Sequence, residues 1–250
     1  MRSDPVKAVR CPIVELRQYT LHPGQRDVLI DLFDREFVET QEATGITVLG
    51  QFRDLDDPDR FVWLRGFEDM PRRAKALESF YGGPIWRAYR DEANATMIDS
   101  DDVLLLRPAS ARGGFPIPVD ARPALGGPSG SPRSLILATI WHGVGPFDDA
   151  FVDFFERRVR PVLTETGGEP LAYLRSEHAP NTFPALPVRT GEEVFVWFAR
   201  FADEDRLKEH LDFLQRSERW SKEMLPALSE RWVRTSQRLR LAPTERSLLR

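Results

Sequence analysis

Apolar and polar side chains alternate from Ile13 to Thr20, and the run ends at His22-Pro23-Gly24, so it predicts a strand closed by a turn. Leu29, Ile30, Phe33 and Phe37 then recur at helical spacing, and Gly45 ends the pattern, predicting a helix over 27–43. Strands are predicted over 46–53 and 61–67, separated by the polar turn 54–59. Pro71 opens a second helix at a position where its missing N–H costs nothing. Gly82-Gly83-Pro84 interrupts it, the helix resumes through Trp86 and Tyr89, and 103–106 is a fourth strand.

The same order returns: strand 135–141, helix 147–165, strands 171–174 and 193–201, helix 204–214, strand 238–241. The recurrence reaches individual residues. Phe61-Val62-Trp63 reappears as Phe195-Val196-Trp197, and at this offset of 134 Trp86 meets Trp220. Nearer the start of each half an offset of 122 pairs Phe33 with Phe155 and Gly45 with Gly167. A period this long marks a duplicated domain rather than a solenoid repeat. Two features break the symmetry. Pro161 falls inside the first helix of the second half and predicts a kink, and the short turn 54–59 becomes the long loop 175–191.

Between the copies, residues 109–133 are rich in Pro, Gly, Ala and Ser and read as a linker. The chain therefore divides into a tail 1–12, a repeat 13–108, the linker, a diverged repeat 134–243 and a tail 244–250. The order βαββαβ is that of an α+β ferredoxin-like unit, a sheet with both helices on one face. The other face must be buried, so the two sheets are expected to pack face to face within one chain.

The residues also carry a resemblance. Val14-Glu15-Leu16-Arg17-Gln18-Tyr19-Thr20-Leu21-His22-Pro23-Gly24 resembles the opening signature of the NIPSNAP family, and Phe61 to Asp69 followed by Arg72-Arg73 resembles its second signature. The likeness is closer over 13–108 than over 135–243. It implies the dimeric α/β-barrel fold, here formed by tandem repeats. Related barrels include cofactor-free monooxygenases, small-molecule isomerases and haem enzymes, whereas the family itself has ill-defined roles.

Composition narrows the classes. The 250 residues carry a formal charge of −4 and a pI near 5.7, which argues against a nucleic-acid surface. No run of 18 apolar residues predicts a membrane span. The first ten residues lack a signal peptide's apolar centre, and the single Cys11 suits a reducing compartment, so a cytoplasmic location is expected. Metal-ligand spacings, Gly-x-Gly-x-x-Gly, a phosphate loop and Gly-x-Ser-x-Gly are all missing, so no metal or other cofactor is called for.

The candidate chemistry lies on the first strand. Alternation puts Val14 and Leu16 on one face and Glu15, Arg17 and Tyr19 on the other. The apolar pair is expected to face the helices and the polar trio, with Arg65, the barrel interior. The second half has Leu137, Thr139 and Trp141 in place of the trio and Ala199 in place of Arg65, so one wall is charged and the other apolar. Arg17 would anchor an anionic group by paired hydrogen bonds, Glu15 would orient it, Tyr19 would donate a hydrogen bond and Trp141 would supply apolar wall. Alternatively, Glu15 and Arg17 simply pair. His142, at a strand end, is the preferred base, and His178 would close over the mouth with its loop. His210, on a helix, reads as surface, and the recurring tryptophans as core. The expected function is binding or transformation of a small, partly apolar metabolite in the barrel, of cofactor-independent monooxygenase or isomerase type. The alternative is an interaction scaffold. Association into homo-oligomers is expected of such barrels.

Overall fold

The computed structural model describes residues 8–9, 11–118, 122–126 and 132–250. Most of the expected N-terminal tail and parts of the expected linker, 119–121 and 127–131, lie outside the described residues. Ten strands follow in order: β1 (Ala8–Val9), β2 (Ile13–Leu21), β3 (Thr47–Asp54), β4 (Arg60–Phe67), β5 (Met97–Pro108), β6 (Ile117–Pro118), β7 (Leu135–Gly143), β8 (Pro170–Ser176), β9 (Glu193–Phe201) and β10 (Gln237–Pro243). β1 and β6 pair with each other, and the other eight close an antiparallel barrel in the order β10-β3-β4-β2-β5-β8-β9-β7. Each half therefore lays down its strands in the spatial order fourth, first, third, second. The halves join edge to edge, where Leu106 meets Ser176 and Leu241 meets Asp54 in register. Closure removes every free edge of this sheet.

The helices start where the sequence places caps. Asp69 and Asp203, at matched positions, accept from the backbone N–H of Arg72 and Arg206 at 2.6 and 2.9 Å and open the helices Met70–Tyr81 and Glu204–Arg216. Gly45 (φ 93°) and Gly167 (φ 91°) hold the left-handed turn after the first helix of each half. The irregularity expected at Pro161 is a wide π turn at Phe155–Val159, just before the proline. The matching segment Phe33–Phe37, with no proline near it, is a π turn too. The widening therefore belongs to the repeated fold and not to the proline.

Strand orientation is the reverse of the sequence expectation. Val14 and Leu16 point into the barrel, where they pack with Leu49, Leu64, Leu106, Ile136, Val196 and Leu241 in a cluster fed by all eight strands. Glu15, Arg17, Tyr19 and Arg65 point outward, under the helices of the first half. Both faces of these strands are buried, so apolarity alone could not tell lumen from helix side. An eight-stranded barrel is just wide enough for its inward side chains to fill it, and that demand takes the small aliphatic residues. As expected, the strands of the two halves face each other across the interior and close as one barrel within the chain.

The last residues close one end of the barrel. Leu249 joins the lumen cluster and its N–H donates to the Leu49 carbonyl at 3.1 Å, while the Ser247 hydroxyl accepts from the Gln51 N–H at 3.3 Å. The long loop after β8 crosses to the first half: Phe183, Leu186 and Val188 pack on its helix-side core, and the Phe183 ring stacks on Tyr81 at 5.9 Å. No helix among the described residues is long and apolar enough to cross a membrane.

Candidate functional site

The sheet–helix interface of the first half holds a buried ionic cluster. Glu15 Oε2 accepts from Arg17 Nη1 at 2.6 Å and from Arg65 Nε at 2.8 Å, and Glu15 Oε1 accepts from Arg73 Nε at 2.6 Å. Burial pushes the Glu15 carboxyl up, but Arg65, Arg17 and Arg73 together outweigh it and hold the carboxyl well below the usual range. Arg17 Nε donates to the Tyr19 hydroxyl at 3.0 Å, and Arg65 Nη1 to the Tyr81 hydroxyl at 3.3 Å. Arg73 Nη1 donates to Asn181 Oδ1 at 2.9 Å and Thr182 Oγ1 at 3.2 Å, which ties the long loop to the cluster. The Trp63 face lies 5.5 Å from Arg17 and 5.1 Å from Arg65, taking up part of the excess positive charge. Beside the cluster, Tyr19, Trp63, Tyr81 and Trp86 line a remnant cavity of about 30 Å³, room for roughly one water. Glu15, Arg17, Tyr19 and Arg65 thus come together, hydrogen-bonded to one another and to neighbours such as Arg73 and Tyr81, and the space beside them is nearly filled.

The two histidines singled out from the sequence stand elsewhere. His142 is on the opposite face of its strand from Trp141, is buried, accepts from Arg234 Nη2 and lies 3.3 Å from Glu192 Oε2. Burial, with Arg234 and Arg189, lowers its pKa. His178 is exposed, 3.6 Å from Glu193 Oε2, and lines an open groove of about 410 Å³ with Arg107, Arg175 and Asp149. None of the hydrogen bonds or ion pairs among the described residues links either histidine to Arg17 or Tyr19. Cys11 is inert: burial pushes its thiol up to about 11.

The second half holds a larger space at the equivalent place. Leu137, Thr139, Trp141, Trp197, Leu214, Trp220 and Trp232 enclose a cavity of about 210 Å³ on the helix side of the sheet, rimmed by Thr235, Ser236 and Arg238. The cause lies in the repeat. Thr139 stands where the first half has Arg17, and Ala199 where it has Arg65. Exchanging two long guanidinium side chains for two small ones removes the ionic cluster together with much of what filled the space. An apolar cavity of about 150 Å³ is enough to hold a benzene ring, so this one accommodates a one- or two-ring ligand.

Four buried polar atoms of its lining have no partner among the described residues: Thr139 Oγ1, Trp197 Nε1, Trp232 Nε1 and His210 Nε2. Buried polar groups are nearly always satisfied; these four share one cavity wall, while Trp63 Nε1, Arg65 Nη2 and Arg73 Nη2 are likewise unpartnered in the first-half cluster. His210 is held in a single tautomer. The Thr166 hydroxyl donates to the Val162 and Leu163 carbonyls, so its oxygen, like the Thr166 carbonyl, is left to accept. Both oxygens face His210 Nδ1, at 3.0 and 3.1 Å. Nδ1 therefore carries the proton, and Nε2 of the neutral ring has a free lone pair. Burial lowers the His210 pKa, the Thr166 carbonyl opposes this and Arg238 adds to it. Gly168 makes the placement possible, since a Cβ there would sit 2.3 to 2.7 Å from three atoms of the imidazole ring.

Of the expected site residues, only Trp141 lines this cavity, where it stacks on Phe195 at 5.7 Å. His210, expected at the surface, is buried, and Trp197 and Trp220, expected in the core, line the cavity as well. A signal was present in the repeat alignment: polar residues of the first half become Thr139 and Ala199 against unchanged aromatics, the pattern of an emptied pocket. Among the described residues no group of three or more His, Cys, Asp or Glu side chains is placed to hold a metal ion.

Fold and site together define an α+β protein with a closed eight-stranded antiparallel barrel and an aromatic cavity between sheet and helices. Residues 14–111 match the NIPSNAP family model, and the match stops short of the second half. Over 93% of this chain and 92% of the other, the fold is similar to a protein from Fusobacterium nucleatum provisionally named a monooxygenase (TM-score 0.56, 9% identity). A protein from Lactobacillus acidophilus with the same provisional name is similar over 95% of this chain and 98% of that one (TM-score 0.53, 13% identity). So is an anthrone oxidase-like protein, over 93% and 91% (TM-score 0.53, 12% identity). Comparison with curated proteins finds no match by sequence.

Proposed function

We propose that the protein binds and transforms a small, partly apolar metabolite, without a metal or nucleotide cofactor, in the helix-side cavity of its second half. The reading includes the architecture: two ferredoxin-like βαββαβ repeats, 13–108 and 134–243, of which the first keeps its pocket closed with the Glu15 cluster and the second has opened its own. The observation that carries it is the cavity of about 210 Å³ with four unpartnered polar atoms in an otherwise aromatic and aliphatic wall. That combination, an apolar body with a few placed polar groups, is what ligand sites have and structural cores avoid. The barrel lumen is filled and takes no part. The aromatic lining favours a ring-bearing ligand, and the name of one fold neighbour, an anthrone oxidase-like protein, suggests an aromatic-fused ketone as a probe.

Four of the chain's six tryptophans line the cavity, so intrinsic fluorescence reports occupancy directly. Titration with 2-tetralone, 1-naphthol and naphthalene should quench the parent protein, the two polar probes binding more tightly than the hydrocarbon. Thr139→Phe, which places a ring in the cavity and removes one of its polar atoms, should weaken the binding of all three probes while leaving the fold intact. Absence of binding by all three probes, or unchanged binding of all three to folded Thr139→Phe, contradicts the reading.

A further inference from the structure

The cavity of the second half is equipped for more than binding, and this inference rests on the reading that a ligand occupies it. We propose that His210 is a general base that removes an acidic C–H proton from an aromatic-fused ketone held there, with the Thr139 hydroxyl and the Trp197 and Trp232 indole N–H groups donating to the enolate oxygen that forms.

The geometry supplies each part. The Nδ1–H of His210 is committed to Thr166, so the only lone pair of the ring is on Nε2, a buried atom of a side chain that lines the cavity. The three donors have no other partner among the described residues. Neutral N–H and O–H groups suit an oxygen whose charge develops only as the proton leaves: they bind the ketone modestly and the enolate strongly. The first half makes the contrast plain, since its equivalent pocket is bordered by fixed guanidinium charge that would favour a preformed anion.

The step balances without a further reagent. The C–H bond breaks, its electron pair moves into the carbonyl to give the enolate, and the proton forms an N–H bond at Nε2. The imidazolium keeps its Nδ1–H on Thr166. Return of the proton to carbon restores the ketone, and its return to oxygen gives the enol. Nothing is oxidised or reduced. A lining of four indole rings keeps water from the enolate while it lasts.

The groups facing the ring are Thr166, Gly168, Phe201 and Arg238. Arg238 alone among them is charged. A pH profile of the step therefore reports His210 itself: full rate above its pKa, loss of rate below it.

The test is deuterium uptake at the acidic carbon of 2-tetralone in deuterated buffer, followed by proton NMR with the full chain, alongside tryptophan-fluorescence binding. The parent should accelerate uptake, with a rate that falls at acid pH through a single titration below the ordinary histidine value of 6.5. His210→Gln keeps a polar side chain of similar reach but cannot cycle a proton; it should bind 2-tetralone and lose about 10²–10⁴-fold in uptake rate. Bound 2-tetralone with no acceleration by the parent, or equal acceleration by His210→Gln, overturns the inference and leaves the binding site standing. Failure of the parent to bind overturns both. Should His210→Gln fail to fold by circular dichroism, the parent profile decides: a rate that does not fall on acidification anywhere in the range over which the parent stays folded refutes His210 as the base.

Discussion

Glu15 is the most heavily committed side chain of the first half, and replacing it with glutamine isolates its charge from its shape. The carboxylate is fully buried and accepts from Arg17, Arg65 and Arg73 at 2.6 to 2.8 Å. Glutamine keeps the volume but presents one acceptor oxygen and an N–H₂ group to guanidiniums that can only donate. Breaking one buried ion pair by removing a partner costs about 3–5 kcal/mol. Here one anion serves three cations, which puts Glu15→Gln at the upper end, about 5 kcal/mol. For a chain of this size a kcal/mol moves Tm by about 2–4 °C, so the expected fall is roughly 10–20 °C. Urea unfolding followed by far-UV circular dichroism and by tryptophan fluorescence is the assay. Because the folded carboxyl is held below its unfolded value, its contribution is complete above the unfolded pKa and fades as pH falls through the folded one. The gap between parent and variant should therefore be constant from pH 6 to 8 and narrow below about pH 4. A loss under 1 kcal/mol at pH 7 would refute the claim that the carboxylate holds the three arginines, and with it the view that the first pocket is closed by charge.

Two further expectations follow from single contacts. Gly168→Ala forces the His210 ring away from Thr166, since the new methyl overlaps three of its atoms; destabilisation of about 1–3 kcal/mol should accompany a shift of the imidazole NMR resonances, and an unshifted ring would contradict the geometry. Asp34 is buried, accepts from Gln51 Nε2 at 2.9 Å, and burial raises its pKa from 3.8 to about 6. A raised folded pKa means that stability is fully present below the unfolded value and lost as pH rises through about 6. Asp34→Asn, which keeps the acceptor oxygen for Gln51, should stabilise the protein at pH 7.5 by up to about 3 kcal/mol and give little at pH 4; equal effects at both pH values would be contrary to it.

The strand and helix order of both halves was legible, because aromatic and glycine positions recur at fixed offsets along the sequence. The polar residues that meet at Glu15 were legible too, from their alternation on one strand. Their direction was not. In β2 both faces are buried, one by the lumen and one by helices, and alternation separates faces without naming them. The choice depends on barrel closure, a property of all eight strands together: the lumen accepts Leu16, Leu64 and Ala138 and leaves the helix side to the larger and charged groups. The cavity was hidden for a related reason. Its volume is set by what is missing, the arginines that Thr139 and Ala199 replace, while its key polar atom sits on His210, in a helix whose sequence is mostly charged. The long loop was recognised as exceptional but crosses to the first half, a contact that depends on the edge pairing of β5 with β8 and is invisible along the chain.

The central claim is that the second half's helix-side cavity, not the lumen or the Arg17 cluster, receives the ligand. A crystal structure of the full chain grown with 2-tetralone tests it most directly. The account predicts ligand density between Trp141, Trp197, Trp220 and Trp232, with the ketone oxygen within hydrogen-bond reach of Thr139 Oγ1 or an indole Nε1 and the ring system beside His210 Nε2. Density in the barrel lumen or against Arg17, or side chains closed over the cavity of the second half with the ligand elsewhere, would contradict it.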